Sequence, residues 1–340
     1  MSFQIYVTRD FDQMSQVAAG LVEADIRDKQ AVKDEYVLGL ATGNSPTGLY
    51  KHLAKAFNAG RIDAGRVRSF NLDEYVGLPG ENAQQRALHC ESYSFFMIME
   101  LFGLLQCKFR ETNVPWGTLI DEDALTEALE SHPEQYELQG MDKGRAIVIK
   151  DSATGVLKDI KVNVLEAYEN KIQACGGIDL HVIGVGGRGH VAFHECGIPF
   201  EGNRVLLVEL DRNTRENAVV DKHFSCVENS ARYAVSMGAE LLYQARSVLM
   251  VANGRRKMEP VTESVVGEVS CDIPLSYSQH LHEAGGRVIY VLDEAAGAGL
   301  LDRRAEVEAK GYDLIDVRAE PYIRVSSLTF SRDPITGCMG

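Results

Sequence analysis

Five short runs rich in valine, isoleucine and leucine punctuate the chain: Tyr36–Ala41, Leu180–Val185, Val205–Leu210, Val248–Ala252 and Arg287–Leu292. A strand that is apolar throughout must be covered on both faces, because one open to water on one side alternates apolar with polar residues. The segments between them carry helical spacing. Leu49, Leu53 and Phe57 recur every four residues, and so do Leu241, Ala245 and Leu249 at the entrance to the fourth run. Buried strands alternating with helices predict an α/β architecture, an open, mostly parallel twisted sheet with helices on both faces.

One region breaks this rhythm. Asp121–Glu137 is acidic and reads as an exposed helix. Ala146–Lys150 alternates weakly, Asp151–Gly155 is turn-rich, and Val156–Val164 resumes, which predicts a β-hairpin centred on the turn. The expected organisation is a single α/β domain over residues 1–340, with an insertion at about 117–163 and a C-terminal extension at about 297–340. Within that extension Tyr322–Phe330 is β-prone.

The charge balance narrows the partners. Lys+Arg is 35 and Asp+Glu is 49 in 340 residues, a net charge of −14. Such a chain is a poor ligand for nucleic-acid phosphates or an anionic membrane. A local pocket can still attract a small anion. The N-terminus has no basic start followed by an apolar run, and no stretch approaches a bilayer span. The seven cysteines, at 90, 107, 175, 196, 226, 271 and 338, form no Cys-x-x-Cys pair and read as reduced thiols of a cytoplasmic protein.

Four segments carry candidate chemistry. In the first, the run ending at Ala41 leads into Thr42-Gly43-Asn44-Ser45 and then a helix. Free N–H groups at a helix start bind anions, and three side chains here add donors. The Gly43-x-x-x-x-Gly48 spacing mimics a P-loop, but Leu49 and Tyr50 stand where its lysine and Ser/Thr belong. Nucleotide hydrolysis is therefore not expected, and a sugar phosphate fits. The simpler alternative is a tight turn with a Ser/Thr cap. In the second, Asp73 and Glu74 follow a short strand at Ser69–Leu72. Ligands of open parallel sheets bind beyond the carboxyl ends of the strands, where a carboxylate can act as a base.

The third segment, Gly184–Glu195, supports several readings. Gly184-x-Gly186-x-x-Gly189 matches a dinucleotide fingerprint, with Glu209 or Asp211 about 25 residues on. That would make the chain an oxidoreductase, but Cys196–Pro199 interrupts the helix such a fold needs. His190-x-x-x-His194 could hold a metal on a helix, and His190 with Glu195 could form an acid/base pair. The fourth is Gly254-Arg-Arg-Lys257 after the fourth apolar run. A lysine just past a strand end can meet a phosphate as a point charge. His52, His132 and His223 read as surface residues.

Taken in order, these segments resemble the glucosamine-6-phosphate deaminase (isomerase) family. The matching stretches are Leu40–Gly48, Phe70-Asn-Leu-Asp-Glu-Tyr-Val-Gly-Leu78, Glu91-Ser-Tyr93, Ile178-Asp-Leu, Gly184-Val-Gly, Gly189-His-Val-Ala-Phe-x-Glu195, Leu210-x-x-x-Thr-Arg215, Gly254-x-x-Lys257 and Asp272–Gln279. Together they cover most of residues 1–296 outside the insertion. The resemblance implies a Rossmann-like fold of the deaminase/6-phosphogluconolactonase type. It implies an enzyme that opens the ring of a sugar phosphate, moves a proton from C2 to C1 and releases ammonia, with no metal or other cofactor. Asp73 would be the base at C2 and C1. His190 would move protons in ring opening, and Glu195 would hold His190. Thr42, Gly43, Asn44, Ser45 and Lys257 would bind substrate. The family includes both monomers and hexamers, so a homo-oligomer is compatible with it.

Three departures stand out. Arg188 occupies a position where the family has Asp or Asn, His194-Glu195-Cys196 replaces its Asn-Glu-Pro, and Val219-Val220-Asp221-Lys222 stands where its phosphate-binding arginine is expected. A cation about 5 Å from an imidazolium costs about 3 kcal/mol at an effective dielectric near 20. Arg188 is therefore expected to alter the pH behaviour of His190, to read a substrate group, or, with Lys222 as the alternative, to replace the lost arginine. The competing functional readings are a homologue acting on another amino sugar or sugar phosphate, and an impaired homologue that binds a sugar phosphate as a sensor.

Overall fold

The computed structural model describes residues 3–141, 144–220 and 224–330. In chain order the first strands are β1 (Phe3–Thr8), β2 (Tyr36–Leu40), β3 (Val67–Asn71), β4 (Asp73–Val76) and β5 (Glu111–Asn113). There follow β6 (Tyr136–Met141), β7 (Gly144–Ile149), β8 (Leu180–Ile183) and β9 (Val205–Glu209). The last are β10 (Tyr233–Met237), β11 (Ser247–Ala252), β12 (Arg287–Asp293) and β13 (Asp313–Asp316).

Eight of these form one sheet in the order β13-β1-β12-β11-β8-β2-β3-β5, with every recorded pairing parallel. Its strands are buried on both faces. In β2, Val37 joins one apolar cluster while Tyr36, Leu38 and Leu40 join the other. In β11 the split is Val248, Met250 and Ala252 against Leu249 and Val251. That is why these segments read as unbroken apolar runs.

The second sheet is antiparallel, in the order β4-β10-β9-β7-β6. It corrects the expectation that Val205–Leu210 belongs to the parallel sheet. Leu207 packs into one cluster, and Leu206 and Val208 into another, so β9 is also covered twice. Pattern alone cannot separate that from a parallel strand.

Three further expectations move. The hairpin is β6 with β7, paired from Tyr136↔Ile149 to Met141↔Gly144, and not a pair about Asp151–Gly155. Residues 155–166 are helical instead, an α-turn at Gly155–Ile160 running into a π-helical turn at Lys161–Glu166. Leu157, Ile160 and Val164 bury one face of it, a helical spacing hidden among β-branched residues. The acidic stretch is a helix only over Glu122–Ser131. In the tail, β13 and not Tyr322–Phe330 adds a strand, parallel to β1. The Tyr322–Phe330 segment lies on the helix Phe11–Gln30, where Gln16 and Asp12 side chains accept from the N–H groups of Ile323 and Val325. Of the second helical repeat, only Ala239–Leu242 is helical, and Leu249 already lies in β11.

The neighbours β11-β8-β2-β3 position the site. The chain leaves their carboxyl ends as Asn253, Gly184, Ala41 and Leu72, all at one rim of the sheet. No helix among the described residues is long and apolar enough to cross a membrane.

Candidate active site

A cleft of about 340 Å³ opens at that rim. Thr42, Gly43, Asn44 and Ser45 line it after β2, Asp73 after β3, His190 after β8, and Arg256 and Lys257 after β11. Four sequence-distant segments thus converge because their strands are neighbours.

The loop after β2 passes into the helix Thr47–Asn58, whose N-cap position, Pro46, supplies no side-chain hydrogen bond. The Ser/Thr cap of the simpler alternative is absent, so no cap side chain occupies the first N–H groups. Ser45 instead donates its hydroxyl to Asn253 Oδ1 at 2.7 Å, which ties this loop to the one after β11. Gly43 holds a φ of +89°. Lys257 Nζ donates to the Val185 carbonyl at 2.6 Å, which fixes the ammonium beside the glycine-rich loop.

Asp73 sits where the chain crosses from the parallel to the antiparallel sheet. It is 5% exposed, and its Oδ1 has no hydrogen-bond partner among the described residues. Burial pushes its carboxyl well above the ordinary range, the neighbouring Glu74 adds to this, and the Thr42 hydroxyl works against it. Glu74, fully buried, turns the other way. It accepts from the N–H groups of Tyr75, Tyr93 and Ser94 and from the hydroxyls of Ser92 and Ser94. Glu74 thus anchors the helix Tyr93–Glu100, and Tyr93 at its start forms part of the cleft wall. Tyr75, Tyr93 and Phe193 stack beside Asp73 as an apolar wall, with centroids 4.8 to 6.0 Å apart.

His190 lies opposite, 16% exposed on its side chain, with Nδ1 3.2 Å from Glu195 Oε2. Glu195 is 1% exposed. The glycine run serves the imidazole. A Cβ on Gly186 would stand 2.0 Å from His190 Nε2, so only glycine lets the backbone lie against the ring. Irregular loop, not helix, follows β8, so the dinucleotide reading fails. His194 shares no site with His190. It is fully buried, accepts at Nδ1 from the Ala239 N–H at 3.0 Å, and meets the Ile198 carbonyl at Nε2. Burial pulls its pKa down to about 4, so it is a neutral structural group. The metal reading goes with it: no metal-ligating cluster exists among the described residues.

Arg188 is not among the residues lining the cleft. Its Nη1 donates to Asp211 Oδ2 at 2.6 Å, and Asp211 is 7% exposed on its side chain. The charge expected to repel an imidazolium is therefore offset locally. Glu209, the other candidate acid of the dinucleotide fingerprint, bonds Arg145 and Arg232. Lys222 and His223 lie outside the described residues. His132 is exposed as expected, whereas His52 is half-buried.

Several lining residues were not singled out from sequence: Tyr93, Thr214, Asn217, Asn253 and Arg256. Tyr93 and Thr214 stand inside matched stretches and Arg256 in the basic triplet before Lys257, which is their sequence signal. Arg215, beside Thr214, turns away to Ser230 and the Val227 carbonyl.

No family model matches the chain. Curated relatives do. The glucosamine-6-phosphate deaminase of Clostridium perfringens (strain 13) is 32% identical over 294 residues, 86% of this chain and 98% of that protein. That of Clostridioides difficile is 32% identical over 298 residues, covering 87% and 96%. Among solved structures, a monomeric glucosamine-6-phosphate deaminase superposes with a TM-score of 0.64 at 23% identity, over 87% of this chain and all of that one. The 6-phosphogluconolactonase of Trypanosoma cruzi gives 0.56 at 18%, over 88% and 98%. The solved structures share the fold, and the curated relatives match nearly end to end: the chain belongs to the glucosamine-6-phosphate deaminase family.

Proposed function

We propose that this protein converts glucosamine 6-phosphate to fructose 6-phosphate and ammonia. The observation that carries the reading is the pair of proton handlers facing one cleft. Asp73 is buried with one oxygen lacking a hydrogen-bond partner among the described residues, and His190 is backed by a carboxylate. Aldose–ketose chemistry needs both.

His190 takes the proton of the O1 hydroxyl and returns one to the ring oxygen, so the C1–O5 bond breaks and the aldehyde forms. Asp73 then removes the C2 proton, that electron pair forms the C1–C2 double bond, and the C1=O π pair moves to O1, which takes a proton from the His190 side to give an enolamine. Asp73 delivers the proton to C1, which leaves an imine at C2. Water adds to that carbon and ammonia departs. The wall of Tyr75, Tyr93 and Phe193 keeps the carboxyl desolvated and its proton affinity high. The phosphate lies at the Thr42–Ser45 loop and the helix start, with Lys257 and Arg256 as the cations. Arg256 takes the place of the arginine absent after Thr214. The chain is one α/β domain, and the cleft works without a metal.

The test is ammonia release from glucosamine 6-phosphate and its galacto epimer, with Asp73→Asn alongside. Wild-type turnover on the gluco substrate, reduced about a hundredfold to ten-thousandfold in the variant, is expected. Phosphate-dependent binding without ammonia release would indicate a sensor instead.

A further inference from the structure

The hairpin of β6 and β7 does more than widen the antiparallel sheet. Gly144 opens β7, is buried, and holds a φ of +96°. A Cβ there would stand 2.6 Å from Glu195 Cγ, 2.8 Å from Glu195 Cβ and 3.1 Å from the Asp211 nitrogen. The Gly144 backbone therefore lies directly on the stem of Glu195. The same end of the hairpin covers the residues that follow. A Cβ on Gly140 would meet Ile198 Cγ1 at 3.2 Å, and one on Gly197 would meet Met141 Cγ at 3.7 Å. Beyond the antiparallel pairing of β7 with β9, two side-chain contacts fasten this end of the hairpin. Arg145 pairs with Glu209 at 2.5 Å, and Asn203 Nδ2 donates to Gln139 Oε1 at 2.8 Å.

The polar anchors of Glu195 are modest. They are His190 at 3.2 Å and the Asp211 N–H at a long 3.4 Å. A glutamate has several rotamers to lose, so with weak polar anchors packing decides which one it keeps. We propose that the hairpin is a positioning element for the proton-handling pair, with Gly144 as the residue that holds the Glu195 carboxylate on His190. Gly144 touches no substrate and acts through Glu195. The proposal rests on the functional reading above for its catalytic consequence, but not for its geometry.

Gly155 provides a matched control. It lies in the same inserted region with a φ of +58°, and a Cβ there meets nothing within 4 Å. Alanine at either site bears the left-handed backbone cost, but only Gly144→Ala strikes Glu195. The measurements are kcat and KM for ammonia release, thermal midpoint, and long-range 1H–15N spectra of the histidine rings. Gly144→Ala should lower kcat roughly tenfold to a hundredfold with KM within about twofold, and should shift the His190 ring signals. Gly155→Ala should lose some thermal stability through its backbone alone and change neither. Unmoved His190 signals in Gly144→Ala, or equal changes in both variants, would overturn the proposal. Should Gly144→Ala fail to fold, Gln139→Ala cuts the tie to Asn203 without touching Gly144. Shifted His190 signals there support the proposal and unshifted signals refute it. A wild-type protein that releases no ammonia defeats the functional reading, while the ring spectra still decide the positioning claim.

Discussion

On the β3 side of the cleft, Asp73 is buried among aromatic rings with one oxygen lacking a partner among the described residues. On the β8 side, His190 stands partly open and is backed by the buried Glu195. A base that must remove a carbon-bound proton gains from a high proton affinity, which desolvation supplies. A group that shuttles protons between oxygens needs orientation and access, which a hydrogen-bonded carboxylate and an open ring edge supply. The first wall is therefore expected to oppose folding stability and the second to be nearly neutral to it.

The largest expected effect tests the first wall. Asp73→Asn, besides losing activity, should stabilise the fold at pH 7 by about 1–3 kcal/mol. The sign follows from linkage. A carboxyl whose folded-state pKa is raised binds its proton more tightly folded than unfolded, so wild-type stability falls as pH rises above the unfolded value. The gain should shrink towards zero as pH drops to about 3, below the ordinary Asp value of about 3.9, where wild-type Asp73 is mostly protonated in both states. Urea unfolding of both proteins at the two pH values measures it, and an Asn variant less stable at pH 7 breaks the comparison.

A smaller effect tests the second wall. Glu195→Gln should reduce kcat about tenfold to a hundredfold and leave KM close to wild type, because the side chain orients His190 and meets no substrate. Its urea midpoint should move little. A larger loss than in Asp73→Asn would reverse the ranking of the two walls. The smallest effect sharpens the border of the site. Arg188→Ala should change kcat/KM by less than about threefold, since Arg188 is spent on Asp211 and partly exposed. A shift of tenfold or more in KM would restore it as a substrate contact.

Much of the site was legible in the chain. Thr42–Ser45, Asp73, His190 and Lys257 follow strands that sequence pattern locates, and residues just past the carboxyl ends of parallel strands share a rim. Arg188 misled because sequence reports that it lies two residues from His190 but not which way its guanidinium turns. Val205–Leu210 and Val156–Val164 misled for a related reason. A doubly covered antiparallel strand looks like a parallel one, and β-branched residues at helical spacing look like a strand.

The sequence by itself determined which segments are strands covered on both faces, which loops follow their carboxyl ends and what residue types those loops carry, because apolar pattern and chain direction are local properties. Only the tertiary structure decided three further matters: that Arg188 meets Asp211, that His194 is sealed away from His190, and that Gly144 rests on Glu195. Each depends on a contact between side chains or backbones brought together by packing, and no periodicity within one segment records what the neighbouring segment will place against it.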